Sequence, residues 1–320
     1  MSGARVVIWL SQTAGKGFAM KTVALAGAAA VTLIGGISCK TGQWLERKKM
    51  KNKIDKKAQE VFEIIKRKEY KNAQKLAEMD TMLYTPEHGL ELLKRDNNVV
   101  NKNGCKIFVT EETTQVAAHR LVVDEKVNDL VLLNFASGKN PGGGFLKGSK
   151  SQEEDLCRCS GLYNCLAGSA PSYYAYNRER KDPLYSDHVM YSPKVPWFRK
   201  NSKEKPGDMF LASVITSPAP NAREYLRVNN NGQAEIEKVL KQRAKIILAV
   251  AQQNGHRNLL LGAWGCGVFA NSPTTVANTF GKLLQSGGFA KAFDTVTFAI
   301  YCVTKNDEET VKIFKEQFTK

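Results

Sequence analysis

The chain lacks the residue patterns that bind metals and form disulfides. Its four histidines are isolated, His88 lies in a predicted connecting segment, and none has a second ligand nearby. Its seven cysteines are scattered and odd in number, which is not the pattern of a disulfide framework. Cys157, Cys159 and Cys165 lie close together, but helix packing explains their spacing better than a zinc site does. We therefore expect reduced thiols in an intracellular setting, with no metal and no cofactor.

Acidic residues are also scarce, and the imbalance limits the kind of partner. The chain has 31 acidic and 47 basic residues, which gives a formal net charge of +16. This charge favours a polyanionic partner, such as nucleic acid, an anionic membrane face or another phosphate-rich polymer. A basic protein without such a partner remains an alternative. The sequence has no zinc-finger pattern, no aromatic-rich RNA-binding motif and no Walker loop.

Long apolar runs are absent except near the N-terminus. Residues 22–39 form an uncharged run of 18 residues, which is just long enough to span a bilayer as a helix. A dense basic stretch follows between residues 40 and 57, and the excess positive charge on that side keeps the following domain in the cytosol. A membrane anchor is the leading interpretation of this segment. A cleaved signal peptide and an extension without a function are the alternatives.

Beyond this segment, strand and helix patterns alternate as in an α/β protein. A charged helix is predicted at residues 44–81, with an apolar stripe of Val61, Ile64, Ile65 and Leu76. A long loop region is predicted at residues 173–205. Strands are predicted at residues 106–110, 129–135, 209–216, 258–262 and 295–302. Further helices are predicted at residues 152–167, 233–253, 274–285 and 306–318.

A glycine-rich loop beside two acids is the most informative pattern. Gly142, Gly143 and Gly144 follow the predicted strand at residues 129–135, and Glu153 and Glu154 open the next predicted helix. Backbone without side chains can lie directly against a ligand. Ligands of open α/β sheets bind at the carboxyl ends of the strands, where this loop lies. Either half alone is more typical of a tight turn or of an ordinary acidic helix start. Together they indicate a glycosidic or phosphate-ester substrate and acid/base chemistry.

A second glycine-rich turn lies late in the chain, after the predicted strand at residues 258–262. It runs from Gly265 to Phe269, and the helix that follows has Asn271 or Ser272 as its N-cap and Pro273 at its first position. Backbone amides beside a helix N-terminus form a site for phosphate oxygens. A purely structural turn is equally consistent with this pattern. The glycine spacing does not fit a dinucleotide-binding fingerprint.

Four separated blocks resemble one family, the bacterial-type (microbial-type) poly(ADP-ribose) glycohydrolases. The first block is three glycines, a spacer of seven residues and then Gln152-Glu153-Glu154, and it continues to Tyr163. The others are residues 191–196, 217–221 and 262–273. The resemblance implies a macrodomain-like, three-layer α/β/α fold with a mixed, mainly central buried sheet. It also implies an N-terminal helical extension, although the apolar segment before it departs from the usual family pattern. We therefore expect a hydrophobic N-terminal segment (anchor or signal) at residues 1–40, a basic helical extension packed on the catalytic domain at 41–98 and a macrodomain-like catalytic domain at 99–320.

The resemblance also implies which residues form the site. Gly142, Gly143 and Gly144 would lie beside the diphosphate and the distal ribose of one ADP-ribose unit. Asn140 would contact a ribose hydroxyl, and Gln152 would help to place the two acids. Glu153 would bind hydroxyls of the adjoining ribose, and Glu154 would be the catalytic acid. The second turn would wrap the diphosphate from the other side, with Phe269 against the distal ribose; its residues are Gly265, Cys266, Gly267, Val268 and Phe269.

The family's reaction is hydrolysis of the ribose–ribose O-glycosidic bonds of poly(ADP-ribose), which releases ADP-ribose. In a partly desolvated cleft, Glu154 is expected to hold a proton at neutral pH and donate it to the leaving oxygen. The expected partners are poly(ADP-ribose) or ADP-ribosylated proteins, with a membrane contacted through residues 22–39 and nucleic acid not excluded. The alternatives are a domain that binds ADP-ribose without cleaving it, a hydrolase of mono-ADP-ribosyl linkages on protein or nucleic acid, and a membrane-tethered scaffold.

Overall fold

A computed structural model describes residues 54–95, 101, 104–168 and 170–318. Within them, seven strands and eleven α-helices are formed. The strands are β1 (Met82–Tyr84), β2 (Lys106–Thr110), β3 (Leu130–Phe135), β4 (Val189–Trp197), β5 (Phe210–Ser217), β6 (Asn258–Leu261) and β7 (Thr295–Ala299). The helices are α1 (Lys56–Ile64), α2 (Lys68–Met79), α3 (Pro86–Lys94), α4 (Thr114–His119), α5 (Gln152–Cys159), α6 (Leu162–Gly168), α7 (Ala170–Arg180), α8 (Ala222–Val228), α9 (Gln233–Gln253), α10 (Pro273–Gly281) and α11 (Lys305–Phe318).

The seven strands form one mixed sheet in the order β1-β4-β5-β3-β6-β7-β2. From β5 to β2 the five neighbouring strands are parallel. β4 pairs with β5 and β1 pairs with β4 in antiparallel register at one edge. The carboxyl ends of the five parallel strands therefore meet at one edge of the sheet. Loops that leave this edge are where ligands bind in α/β folds.

The sheet lies between two hydrophobic cores, because successive side chains of a strand point to opposite faces. On β3, Val131 and Leu133 join the first core, which contains α3, α9, α10 and α11. Leu130 and Leu132 join the second core, which contains α1, α2, α4, α5, α6 and α7. All four leucine and valine side chains are at most 3% exposed. Helices thus cover both faces, which confirms the predicted three-layer, macrodomain-like architecture with a central buried sheet.

The charged segment before the sheet forms two helices, so the single helix predicted at residues 44–81 is wrong. α1 ends at Ile64, and the chain turns at residues 65–67 before α2 begins. Val61, Ile64 and Ile65 are buried as predicted, but Leu76 is 59% exposed. Residues 44–53 lie outside the described part of the chain. Lys51–Lys320 forms one compact unit, and the boundary expected between residues 98 and 99 remains a prediction.

Two further predictions of secondary structure are corrected. The loop region predicted at residues 173–205 contains most of α7 and all of β4. Its strand pattern is interrupted by Pro193 and Pro196, and the register of β4 shifts between Ser192 and Val195. The helix predicted at residues 152–167 is two helices, because Ser160 is extended and forms a bridge with Trp197.

Short helices and the N-terminal run are the remaining differences. α3, α4 and α8 were not predicted, and His88 lies in α3 rather than in a connecting segment. The predicted strands at residues 106–110 and 258–262 and the helix at 233–253 match β2, β6 and α9 closely. In the described ranges, no helix is long and apolar enough to cross a membrane. The predicted anchor at residues 22–39 lies outside the described residues.

A buried arginine fastens the first core to the loops around the sheet's carboxyl edge. Arg243 of α9 is 1% exposed and pairs with Asp187, with 3.0 Å between Nε and Oδ1. Its other nitrogens donate to the carbonyl oxygens of Pro218 (2.8 Å) and Leu184 (3.0 Å). A buried charge of this kind is tolerated because each of the three guanidinium nitrogens donates to a protein acceptor. Arg243 therefore fixes two loops that precede residues of the cleft described below.

We expect the substitution Arg243→Met to lower the free energy of unfolding by about 3–5 kcal/mol, because it leaves Asp187 Oδ1 and the carbonyl groups that accept from Arg243 without this donor. Chemical denaturation of the full chain measures this change. Arg227→Met is the matched control, because Arg227 is exposed on α8, and we expect a change within about 0.5 kcal/mol there. Equal losses in the two variants would contradict the role given to Arg243.

Candidate active site

A large cleft opens at the carboxyl edge of the parallel strands. Its volume is about 1400 Å³, and its walls come from the loops after β3, β5 and β6, from the start of α4 and from the end of β7. Both glycine-rich segments line it, so the fold brings together the two loops that are 120 residues apart in the sequence. Every site residue expected from the sequence except Gly142 is part of the lining, and Gly142 is buried next to it.

Gln152 fastens the start of α5 to the end of β3. Its side-chain oxygen accepts a hydrogen bond from the Phe135 backbone N–H (2.9 Å), and its side-chain nitrogen donates to the Leu133 carbonyl (2.8 Å). The same nitrogen lies 3.2 Å from the hydroxyl of Thr114 on α4. These bonds continue the pattern of a neighbouring strand along β3. The role that they support is to place the two acids that follow, not to contact a ligand.

Glu153 is held inside the protein by both of its oxygens. Asn134, the residue before the last one of β3, donates to Oε1 (3.2 Å), and the Ser137 backbone N–H donates to Oε2 (2.7 Å). The Gly142 backbone N–H also bonds to this carboxylate. Burial raises the pKa of Glu153 to about 8, while these N–H donors oppose the rise. Glu153 therefore ties α5 to both ends of the first glycine loop.

Glu154 has one fixed oxygen and one free oxygen. Oε1 accepts a hydrogen bond from the Gly144 backbone N–H (2.7 Å). Oε2 is buried and has no hydrogen-bond partner among the described residues. The residue lines the cleft although its side chain is only 6% exposed. A buried, unpaired oxygen is costly unless a ligand or water completes it. Among the two Glu154 oxygens, Oε2 is therefore the one whose hydrogen bonding is not completed by the described protein residues.

The first glycine loop must lack side chains because it lies directly on the two acids. Gly143 has φ of +58°, and a Cβ there would be 2.5 Å from Glu154 Oε1 and 3.0 Å from Glu153 Oε2. Gly142 has φ of +62°, and a Cβ there would be 2.9 Å from the Tyr163 ring. Both the left-handed backbone and the close contacts require glycine. The amide groups of Gly142, Gly143 and Gly144 all bond to protein acceptors.

The second glycine loop has the free amides that the first loop lacks. Gly265 has φ of +77°, and its carbonyl accepts from both the backbone and the side chain of Asn271. Cys266 closes a turn onto Ala263 (3.1 Å). The backbone N–H groups of Gly267, Val268 and Phe269 donate no hydrogen bond within the described residues. α10 follows with Ser272 as N-cap and Pro273 at its start, as predicted. The loop thus offers three consecutive amide donors at the cleft wall.

Aromatic and amide side chains shape the wall between the two loops. The Phe269 ring lies 5.8 Å from the Tyr185 ring, measured between centroids. Tyr185 in turn lies against Gly138, where a Cβ would be 2.5 Å from the ring. Asn140 is exposed at the rim, and its carbonyl accepts from Gly143 (3.0 Å). Asn140 and Phe269 therefore line the cleft from opposite loops, and the ribose contacts that the resemblance implied for them remain predictions.

Helix α1 and its N-cap contact the residues that directly follow the first glycine loop. The Asp55 backbone N–H donates to the Leu146 carbonyl (2.9 Å), and the Asp55 side chain caps α1. Phe62 of α1 packs on Tyr163 and Phe145, with centroid distances of 5.5 Å and 6.1 Å. Phe145 immediately follows the glycines and is fully buried. The helical extension is therefore part of the structure that holds the site.

Some site residues were not found from the sequence. Asn134 was visible only as the polar end of an apolar strand, and its bond to Glu153 is long-range. Tyr185 carried no signal, because it lies in the segment predicted as a loop. Cys157, Cys159 and Cys165 pack in the second core. Among the described residues, no group of histidine, cysteine or acidic side chains is arranged to hold a metal ion.

Comparison with known proteins agrees with this geometry. The family model for the catalytic domain of microbial-type PARG matches residues 58–200. The crystal structure of the poly(ADP-ribose) glycohydrolase from Thermomonospora curvata is 40% identical, with a TM-score of 0.76, over 82% of this chain and 98% of that chain. The chain belongs to the microbial-type poly(ADP-ribose) glycohydrolase family. A second member, from Deinococcus radiodurans in complex with ADP-ribose, is 41% identical with a TM-score of 0.71.

The structural matches extend over most of this chain. The Deinococcus radiodurans match spans 76% of this chain and 96% of that chain. The Thermomonospora curvata enzyme bound to the inhibitor ADP-HPD is 40% identical, with a TM-score of 0.73, over 82% of this chain and 98% of that chain. No curated protein matches the sequence. The resemblance inferred from four sequence blocks is thus confirmed at the level of family and fold.

The glycine requirement at the first loop can be tested with one methyl group. Gly143→Ala is expected to reduce glycosidase activity at least about 100-fold, because the new Cβ displaces the Glu154 carboxylate. Gly255→Ala is the matched control. Gly255 has φ of +76° but no atom within 4 Å of an added Cβ. Each variant should lose about 1 kcal/mol of stability from backbone strain, but only the first should lose activity. Equal activity in the two variants would show that the contact is not needed.

Proposed function

We propose that this chain hydrolyses the ribose–ribose O-glycosidic bonds of poly(ADP-ribose) and releases ADP-ribose, with Glu154 as the general acid and base. The observation that carries the proposal is the unequal treatment of the two Glu154 oxygens. Gly144 holds Oε1, and Oε2 is buried without a hydrogen-bond partner among the described residues, in a side chain that lines the cleft. Family membership supplies the substrate class, since the related structures bind ADP-ribose and the inhibitor ADP-HPD.

The reaction follows from these positions. Protonated Glu154 gives its proton from Oε2 to the leaving ribose oxygen as the bond to the anomeric carbon breaks. The sugar left behind has the character of an oxocarbenium ion. A water molecule then adds to the anomeric carbon, and its proton returns to Glu154. Both carboxylate oxygens of Glu153 are already bonded within the protein. Glu153 is therefore a positioning residue in this scheme, and its predicted contact with ribose hydroxyls remains a prediction.

The diphosphate of the bound unit is assigned to the second glycine loop. The amides of Gly267, Val268 and Phe269 have no protein acceptors in the described structure, so they are available to phosphate oxygens. The first loop's amides are occupied, so that loop acts mainly by holding the acids. A diphosphate beside the anomeric carbon stabilises the positive charge that develops there. Phe269 and Asn140 are assigned to the distal ribose, in keeping with their places at the cleft wall.

Glu154→Gln tests the acid directly. We expect turnover of labelled poly(ADP-ribose) to fall by about 10²–10⁴-fold or more, with ADP-ribose binding retained, because glutamine keeps the oxygen that bonds to Gly144. Separation of the products measures free ADP-ribose. Glu237→Gln on the exposed face of α9 is the control and should match the wild type. Near-normal turnover by Glu154→Gln would overturn the assignment.

The same assay separates the other candidate functions. An intact polymer together with measurable ADP-ribose binding by the wild type would indicate a binding domain or a hydrolase of mono-ADP-ribosyl linkages. The orphaned Glu154 oxygen argues against binding alone, because a site for ADP-ribose needs no buried acid at that position. Release of ADP-ribose from modified protein or nucleic acid, but not from the polymer, would assign the mono-ADP-ribosyl linkage.

We also propose that residues 22–39 anchor the chain in a membrane with the catalytic domain in the cytosol. The support is the uncharged run and the basic stretch that follows it. The full chain should stay with the membrane fraction after alkaline carbonate extraction. The mass of the intact protein should also include this run. A shortened mass would indicate a cleaved signal instead, and release by carbonate would exclude an integral anchor.

A further inference from the structure

One end of the cleft is strongly basic, and the mechanism above does not use it. Five lysines line this end, and all are exposed; we call them the lysine arm: Lys57, Lys147, Lys150, Lys200 and Lys203. They come from three parts of the chain, namely α1, the turn after the first glycine loop and the segment after β4. Their convergence on one end of one cleft is therefore a property of the fold and not of a single basic run.

The first part of the arm is built onto the anchor of the catalytic acid. Gly144 donates its amide to Glu154, and its carbonyl accepts from the Ser149 backbone N–H (3.2 Å). The buried guanidinium of Arg158 donates to the Ser149 carbonyl. The turn between Gly144 and Ser149 is thus closed at both ends. It carries Lys147, and Lys150 follows it directly.

The second part of the arm is held by another buried arginine. The Arg199 side chain is fully buried, and its Nε donates to the Arg158 carbonyl (2.9 Å). Its Nη1 pairs with Glu60 of α1 at 3.0 Å. Arg199 thereby fixes the start of the segment that carries Lys200 and Lys203 against both α5 and α1. The arm is consequently a fixed surface rather than a set of unrelated side chains.

The acids on this end of the cleft are already occupied. Asp55 accepts the amides of Lys57 and Ala58 as the cap of α1, and Asp155 pairs with Arg158 at 2.7 Å. Lys57 pairs with Glu60 at 2.9 Å. The other four members of the arm form no ion pair with any described residue. They therefore leave a net positive field over the end of the cleft.

Contacts place the catalytic acid between this arm and the second glycine loop. Phe269 of the second loop packs on Tyr185, and Tyr185 in turn lies against Gly138, near the start of the first loop. The lysine arm meets the first loop at its end, where Gly148 lies beside Asp55. Gly143 and its contact with Glu154 lie between these two points. The cleft thus has two phosphate-attracting regions on either side of the acid.

We propose that the lysine arm is a subsite for the diphosphate of the ADP-ribose unit on the leaving side of the scissile bond. This inference rests on the proposed glycohydrolase function. The leaving oxygen belongs to a ribose whose own nucleotide carries a diphosphate. When the second glycine loop holds one diphosphate, the next one lies beyond Glu154, on the side of the arm. The arm thereby favours a polymer over substrates that lack a second nucleotide.

The test compares two substrates in the full-length protein. One is poly(ADP-ribose). The other is an aryl glycoside of ADP-ribose, in which the aryl group is attached through oxygen to the anomeric carbon of the distal ribose. It has the same anomeric centre but no leaving-side phosphate. The variant has four changes: Lys147→Gln, Lys150→Gln, Lys200→Gln and Lys203→Gln. We expect its KM for the polymer to rise about tenfold at low ionic strength, with kcat nearly unchanged. The effect should shrink as salt is added. The kinetics of this variant with the aryl glycoside should equal those of the wild type.

Two matched variants complete the experiment. Four exposed lysines outside the cleft, changed to glutamine, give the same change in net charge and should leave polymer kinetics unaltered: Lys68, Lys71, Lys75 and Lys241. Arginine at the four arm positions should restore the KM, because it keeps the charge. An unchanged polymer KM in the glutamine variant, or equal losses on both substrates, would overturn the subsite. Failure of the wild type to cleave either substrate would instead overturn the proposed function.

Discussion

The site depends on the hydrogen bonds that hold the Glu153 carboxylate across the end of β3. Asn134, Ser137 and Gly142 converge on this one side chain. Their bonds join the last residues of a buried strand, the start of the glycine loop and the first turn of α5. Because these hydrogen bonds are buried, they hold the first turn of α5 in place, and the position of the neighbouring residue Glu154 is fixed with it. Gln152 strengthens the link between α5 and β3 through its bonds to the Phe135 backbone N–H and the Leu133 carbonyl.

Two acids and two glycine loops that look alike in the sequence therefore have different roles. Glu153 binds backbone and side-chain donors with both oxygens, whereas one Glu154 oxygen has no partner among the described residues. The backbone amides of the first loop donate to protein acceptors, whereas three amides of the second loop have no acceptor among the described residues. This division explains why neighbouring residues on one helix suffice for the chemistry. A single acid that donates and later accepts the proton needs no second carboxylate on the opposite face of the sugar.

The sequence predicted the parts of the structure that rest on local patterns. The apolar strands around Val131 and Leu259 and the long amphipathic α9 follow directly from periodicity, and the glycine loops follow from composition. The break at Ser160 and the strand β4 could not be predicted, because each depends on pairing with a distant segment. The different roles of Glu153 and Glu154 were also hidden. They depend on which oxygen meets Asn134 or Gly144, and only the folded loop decides that.

In the proposed reaction, Glu154 supplies the proton to the leaving oxygen. This step is tested by comparing wild type and Glu154→Gln on aryl glycosides of ADP-ribose, with the aryl group at the anomeric carbon of the distal ribose and leaving phenols that range from weakly to strongly acidic. A strongly acidic phenol leaves without a proton, so we expect a large loss of kcat with the weakly acidic phenols and a much smaller loss with the strongly acidic ones. An equal loss across the whole series would show that Glu154 does not act by donating a proton.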